Sequence, residues 1–88
     1  MQERVFRIKN KLGLHARPAA LFVQTVNKFN CKIRVVKNDE MVDGKSIMGL
    51  LTLAAGCGSE IKVIIEGEKE EEVLDKINEL IENKFDEE

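Results

Sequence analysis

The stretch Cys31-Lys32-Ile33-Arg34-Val35 alternates apolar and charged side chains. A period of two places Cys31, Ile33 and Val35 on one face of a strand and Lys32 and Arg34 on the other. Strands with one apolar face predict an antiparallel sheet covered by helices on one side only. Downstream, Lys37-Asn38-Asp39-Glu40 is a polar turn and Met41-Val42 begins a short return strand. Asp43-Gly44-Lys45 turns the chain again, and Ser46 precedes a helical run, Ile47 to Leu53, that ends near Gly56 and Gly58. Ile61, Val63 and Ile65 then alternate up to Gly67.

Upstream, Ala19, Phe22, Val23 and Val26 follow helical spacing within Ala16 to Lys28, and Phe29 continues the stripe. Pro18 fits only the first turn, where its missing N–H costs nothing, so the helix is predicted to start at His15 or Ala16. Residues 2–9 read as a strand with Phe6 and Ile8 facing inward. At the other end Val73, Leu74, Ile77, Leu80, Ile81 and Phe85 mark one helical face. Glu70, Glu71 and Glu72 occupy its first turn, where the helix dipole favours them. The acidic tail Asp86-Glu87-Glu88 is expected to fray. The order is therefore βαββαβα, an α+β chain whose four-stranded antiparallel sheet carries three helices on one face.

With 88 residues the chain makes one domain, 1–88, with one thin core and little room for a deep pocket. The formal charge is −2, from 14 basic and 16 acidic residues, and gives no electrostatic case for nucleic acid or an anionic membrane. The charge is uneven: Arg4, Arg7, Lys9, Lys11 and Arg17 crowd the first 17 residues against Glu3 alone. That end suits an anionic group or an acidic partner surface. No apolar stretch approaches the ~20 residues that span a bilayer, so a cytoplasmic protein without membrane insertion is the expectation. Cys31 and Cys57 are expected to be reduced thiols, and neither they nor the single histidine have metal-ligand spacing. No cofactor and no metal are called for.

The chemistry concentrates in Gly13-Leu14-His15-Ala16-Arg17-Pro18-Ala19. Gly13 permits a tight approach and Pro18 sets the first helical turn, so His15 falls at or next to the N-cap. The first N–H groups of a helix lack internal partners and form an anion cradle. A neutral imidazole there can attack phosphorus, and the Arg17 guanidinium offers a planar fork of donors to the phosphoryl oxygens. The same residues also suit a polar N-cap beside a solvent-facing arginine, and residue chemistry alone leaves both readings open. No acid is paired with His15 in sequence, and there is neither a nucleophile elbow nor a P-loop.

Together with Lys45-Ser46-Ile47-Met48-Gly49, the His15 motif resembles the HPr family, the histidine-containing phosphocarriers of the bacterial phosphoenolpyruvate-dependent phosphotransferase system. The resemblance covers essentially the whole chain in length, element order and motif spacing. It implies an open-faced β-sandwich and a carrier, not an enzyme, working as a monomer. By that resemblance His15 accepts phosphate from phosphoenolpyruvate through enzyme I as a pros-phosphohistidine, stabilised by Arg17, and passes it to IIA domains of sugar permeases. Ser46 corresponds to the serine modified by HPr kinase/phosphorylase, whose product engages a transcriptional regulator in carbon catabolite regulation. Ser is also a preferred plain N-cap. Ala16, Ala20, Ile47, Met48 and Leu51 correspond to the docking surface, whereas Leu50 and Leu53 read as core. Family members often have a small polar residue where this chain has Leu12, a variant that also resembles paralogues of a nitrogen-linked regulatory relay.

Two other functional classes fit the residues less well. The order of the first six elements also resembles ferredoxin-like RNA-binding modules, but those read bases with sheet aromatics, and this chain has no Trp or Tyr. An autonomous enzyme with His15 as general base lacks pocket-forming residues.

Overall fold

In a computed structural model, which describes residues 1–87, the chain forms four strands and three α-helices in the order β1 (Gln2–Arg7), α1 (Ala16–Val26), β2 (Cys31–Lys37), β3 (Glu40–Asp43), α2 (Ile47–Thr52), β4 (Glu60–Gly67) and α3 (Glu70–Glu82). The sheet order is β1-β4-β2-β3 and every pairing is antiparallel. Register follows from the alternation. Phe6 pairs with Ile61, Val35 with Val63 and Ile33 with Ile65. All six are buried on the face that the helices cover. Slipping any strand by one residue would turn this set to solvent. The open face carries the ion pairs Arg7–Glu60, Lys62–Glu3 and Arg34–Glu66 between neighbouring strands.

Helix α1 presents Pro18, Ala19, Phe22, Val23 and Val26 to the core, and α3 presents Val73, Leu74, Ile77 and Ile81. Leu50 and Leu53 are buried, as their spacing predicts. The chain reaches α3 through Lys69 in a left-handed conformation, φ 56°. The Glu70 carboxylate accepts from the Gly67 amide at 2.9 Å, and that bond holds its carboxyl below the usual carboxylate range. Cys31 and Cys57 are free thiols, and burial pushes the Cys31 thiol up.

The C-terminus departs from expectation twice. Phe85 does not continue the α3 stripe, because the helix ends at Glu82. Lys84, Phe85 and Asp86 instead take φ values of 54°, 54° and 60°, a left-handed 3₁₀ turn. Such geometry costs roughly 1–2 kcal/mol per non-glycine residue. Complete burial of the Phe85 ring offsets part of this, since burying a phenylalanine contributes about 1.5–3 kcal/mol. Over its described part the tail is not an extended end either: this turn brings Glu87 back to Asn10 and His15. Glu88 lies outside the described residues.

Candidate phosphoryl-acceptor site

His15 is the N-cap of α1, with extended backbone at φ −102° and ψ −161° and no capping bond from its side chain. Its imidazole is thus left to other uses. The carbonyl of His15 accepts the first helical bond, from Ala19 at 2.9 Å. Because Pro18 has no N–H, the open amides at this helix end are those of Ala16 and Arg17. The loop before the cap is held tightly. Leu14 N–H donates to Ala55 O at 2.8 Å, and Gly13 O accepts from His15 N–H at 3.0 Å. Gly13 itself has φ 75°, which a residue with a Cβ rarely adopts.

The two imidazole nitrogens differ. Among the described residues Nε2 is out of contact with solvent, has no hydrogen-bond partner and lies 3.6 Å from Glu87 Oε2. That distance is a charge contact rather than a hydrogen bond. The ring as a whole keeps 45% of its side-chain surface, which leaves its Nδ1 side as the open one. Glu87 is held by Asn10, whose Nδ2 donates to Glu87 Oε1 at 2.9 Å and to Gly13 O at 2.8 Å. Asn10 is fully buried. It ties the loop before His15 to the tail behind it. Asn10→Ala removes both bonds from a buried site and is expected to destabilise the fold by about 1–3 kcal/mol, measurable in denaturant unfolding.

Arg17 is exposed in the first turn of α1 and makes no ion pair among the described residues. Most of the basic end is otherwise neutralised, through Arg4–Asp75, Arg7–Glu60 and Lys9–Glu82. The cations left near His15 in sequence, Lys11 and Arg17, both carry exposed side chains.

Ser46 caps α2, its Oγ accepting from Gly49 N–H at 3.0 Å. Next to it Ile47 and Met48 are 40% and 71% exposed, and Ala16 is exposed as well. Ala20 and Leu51 are only half-buried, and Leu51 packs against the core. Leu12, at 67% exposure, joins this apolar surface. With Leu51 and Ala54 it lines a depression of about 210 Å³ that opens beside His15. Helices α1 and α2 pack together, so the His15 and Ser46 motifs share one side of the molecule.

The family model of the PTS HPr component phosphorylation site matches residues 2–83. The chain belongs to the HPr family. Among HPr relatives, a phosphocarrier protein HPr of Treponema pallidum is 47% identical over 88 residues, covering all of both chains. A solved HPr structure from Thermoanaerobacter tengcongensis superposes with a TM-score of 0.95 at 51% identity, covering 100% of this chain and 99% of that one. A structure described as an HPr dimer from the same organism has a TM-score of 0.76 at 50% identity, with coverage of 97% and 98%. Membership makes this chain a phosphoryl carrier of the phosphotransferase system, with the HPr fold of four antiparallel strands and three helices. Among the described residues, no helix is long and apolar enough to cross a membrane, and no cluster of His, Cys, Asp or Glu could hold a metal ion.

Sequence reasoning singles out His15, Arg17, Ser46 and the Ile47–Met48 pair, and the structure places His15 at the cap of α1, Arg17 in its first turn, Ser46 at the cap of α2 and Ile47 and Met48 at the surface. Sequence reasoning missed Asn10 and Glu87. Asn10 carried no pattern, and Glu87 sat in an acidic tail with no sign of its destination. Leu12 carries a signal, an apolar residue beside a turn glycine, that the sequence alone does not connect to the surface around His15.

Proposed function

We propose that His15 accepts a phosphoryl group at Nδ1 from enzyme I, itself charged by phosphoenolpyruvate, and hands it to IIA domains of sugar permeases. The observation that carries this reading is the asymmetry of the ring, with Nε2 closed off against Glu87 and the Nδ1 side open at a helix N-terminus. In the transfer the Nδ1 lone pair forms a bond to phosphorus while the donor's bond to phosphorus breaks, its electron pair leaving with the donor. The amides of Ala16 and Arg17 and the Arg17 guanidinium are the groups that meet the phosphoryl oxygens. Each such exposed contact contributes only ~0.3–1 kcal/mol, a weak hold that suits a group that must leave again.

The apolar surface of Ala16, Ala20, Ile47, Met48 and Leu51, extended by Leu12, is where partners cover the site. The carrier is one domain over residues 1–88, cytoplasmic and monomeric at working concentration. Intact-protein mass spectrometry after incubation with phosphoenolpyruvate and enzyme I tests the assignment. One acid-labile phosphate per chain is expected, and none taken up beside an active enzyme I overturns it.

Ser46 has a second role in this reading, as the site of an HPr kinase/phosphorylase whose product binds a transcriptional regulator. A phosphoserine here would set negative charge beside the exposed Ile47 and Met48. Ser46→Ala is expected to spare transfer from enzyme I. It should lower stability by about 0.5–2 kcal/mol through loss of the bond from Gly49, measurable by thermal unfolding. Total loss of transfer would mean that Ser46 belongs to the acceptor machinery.

A further inference from the structure

We infer that Glu87 is a positioning residue for phosphoryl transfer, its charge facing Nε2 of His15 and favouring the proton there so that Nδ1 gives and receives the phosphoryl group; this rests on the acceptor role of His15 proposed above. Three independent features converge on the carboxylate. Its Oε2 lies 3.6 Å from a ring nitrogen that, among the described residues, has no hydrogen-bond partner and is closed to solvent. Its Oε1 is fixed by the fully buried Asn10 at 2.9 Å. Finally, the chain adopts three consecutive left-handed residues and buries Phe85 to bring it there. Strained backbone of this kind clusters at functional sites as well as where packing compensates it. The carboxylate is itself mostly covered, at 19% exposure, so its charge acts on the ring with reduced solvent screening.

The chemistry needs such a group. A neutral imidazole protonated at Nε2 has its lone pair on Nδ1, the open side. As Nδ1 bonds to phosphorus, the ring becomes cationic with the proton still on Nε2. A carboxylate facing that proton stabilises the charge as it develops and fixes the ring, the part an orienting acid plays beside a nucleophilic or basic histidine. On discharge the N–P bond breaks and its electron pair returns to Nδ1. Because Nε2 kept its proton, the departing ring is neutral. Glu87 therefore favours the reactive form of the phosphorylated ring without touching the phosphoryl group. Apart from His15 itself, the depression beside the ring is lined by Leu12, Leu14, Leu51, Ala54, Ala55 and Gly56, none of which carries a charge. Arg17 on α1 is the other charged group within the motif, and it lies on the exposed side of the first turn.

Two measurements on the full chain, each with Glu87→Gln and Glu87→Ala, test this without a permease partner. Nitrogen-15 NMR of the unphosphorylated ring above its titration range reads which nitrogen holds the proton. The wild type is expected to keep it on Nε2, and the variants to show a mixture. The second measurement is the hydrolysis rate of the isolated phosphorylated protein at neutral pH. It is expected to fall about two- to fivefold in both variants, the size of one partly exposed charge contact. Glu87→Asp should recover part of the loss. Equal tautomer populations and equal hydrolysis rates in wild type and variants would overturn the inference. A wild type that takes up no phosphate would overturn the acceptor role itself, and the NMR result would still stand or fall separately.

Discussion

His15→Ala is expected to abolish phosphoryl uptake while leaving the fold essentially unchanged. The first half follows because no second nucleophile stands at the start of α1: this is the one histidine of the chain, and the neighbouring polar side chains are an arginine and a carboxylate held by Asn10. The second half follows from the way the cap is built. The His15 side chain makes no capping bond, and the loop is held by backbone bonds of Leu14 and His15 that alanine retains. Substitutions of this kind change stability by about 0.5 kcal/mol or less. Intact mass after incubation with enzyme I and phosphoenolpyruvate, beside a thermal melt, checks both halves. Phosphate retained by the variant would place the acceptor elsewhere.

Gly13→Ala is expected to be the most damaging small substitution near the site. An added Cβ would stand 2.7 Å from the Gly56 Cα and closer still to Ala55 O, and both neighbours are backbone. The φ of 75° adds the left-handed penalty of roughly 1–2 kcal/mol. Overpacking against backbone that cannot swing aside adds roughly 1–3 kcal/mol. A total loss of about 2–5 kcal/mol is large for a domain this small. Its melting temperature should fall by roughly 4–8 °C for each kcal/mol lost. Relief would require moving the strand of contacts from Leu14 to Ala55, which also positions His15. Transfer from enzyme I should therefore drop even at temperatures where the variant is folded. A Gly13→Ala protein with an unchanged melt and unchanged uptake would mean that the loop is far softer than its bonds indicate.

The strands were legible because alternation is a local signal that burial on one face makes obligatory. Ile33 and Val35 in β2 and Ile61, Val63 and Ile65 in β4 are all buried, as their spacing predicts. The start of α1 was legible to within one residue, since Pro18 fits only the first turn of a helix. Phe85 misled for a physical reason. It follows Ile81 by four residues, the spacing of a helical stripe, and a period cannot distinguish one more helical turn from a left-handed turn that returns the ring to the same core. Glu87 misled for another: an acidic terminus looks like a solvated tail until the groups that bind it are known. Those groups, Asn10 and His15, are nearly a chain length away, with Asn10 and Glu87 separated by 77 positions.

By itself the sequence determined the element order, the single apolar face of each strand, the start of α1 to within one residue, at His15 or Ala16, and the two motifs around His15 and Ser46. All of these rest on interactions between residues a few positions apart, where backbone geometry leaves few choices. Only the tertiary structure decided the strand order β1-β4-β2-β3, the meeting of α1 with α2 that sets Leu12, Met48 and His15 on one side, and the return of Glu87 to the imidazole. Those depend on which distant groups lose their water together. A buried asparagine and a carboxylate can be satisfied only by partners that the folded chain delivers.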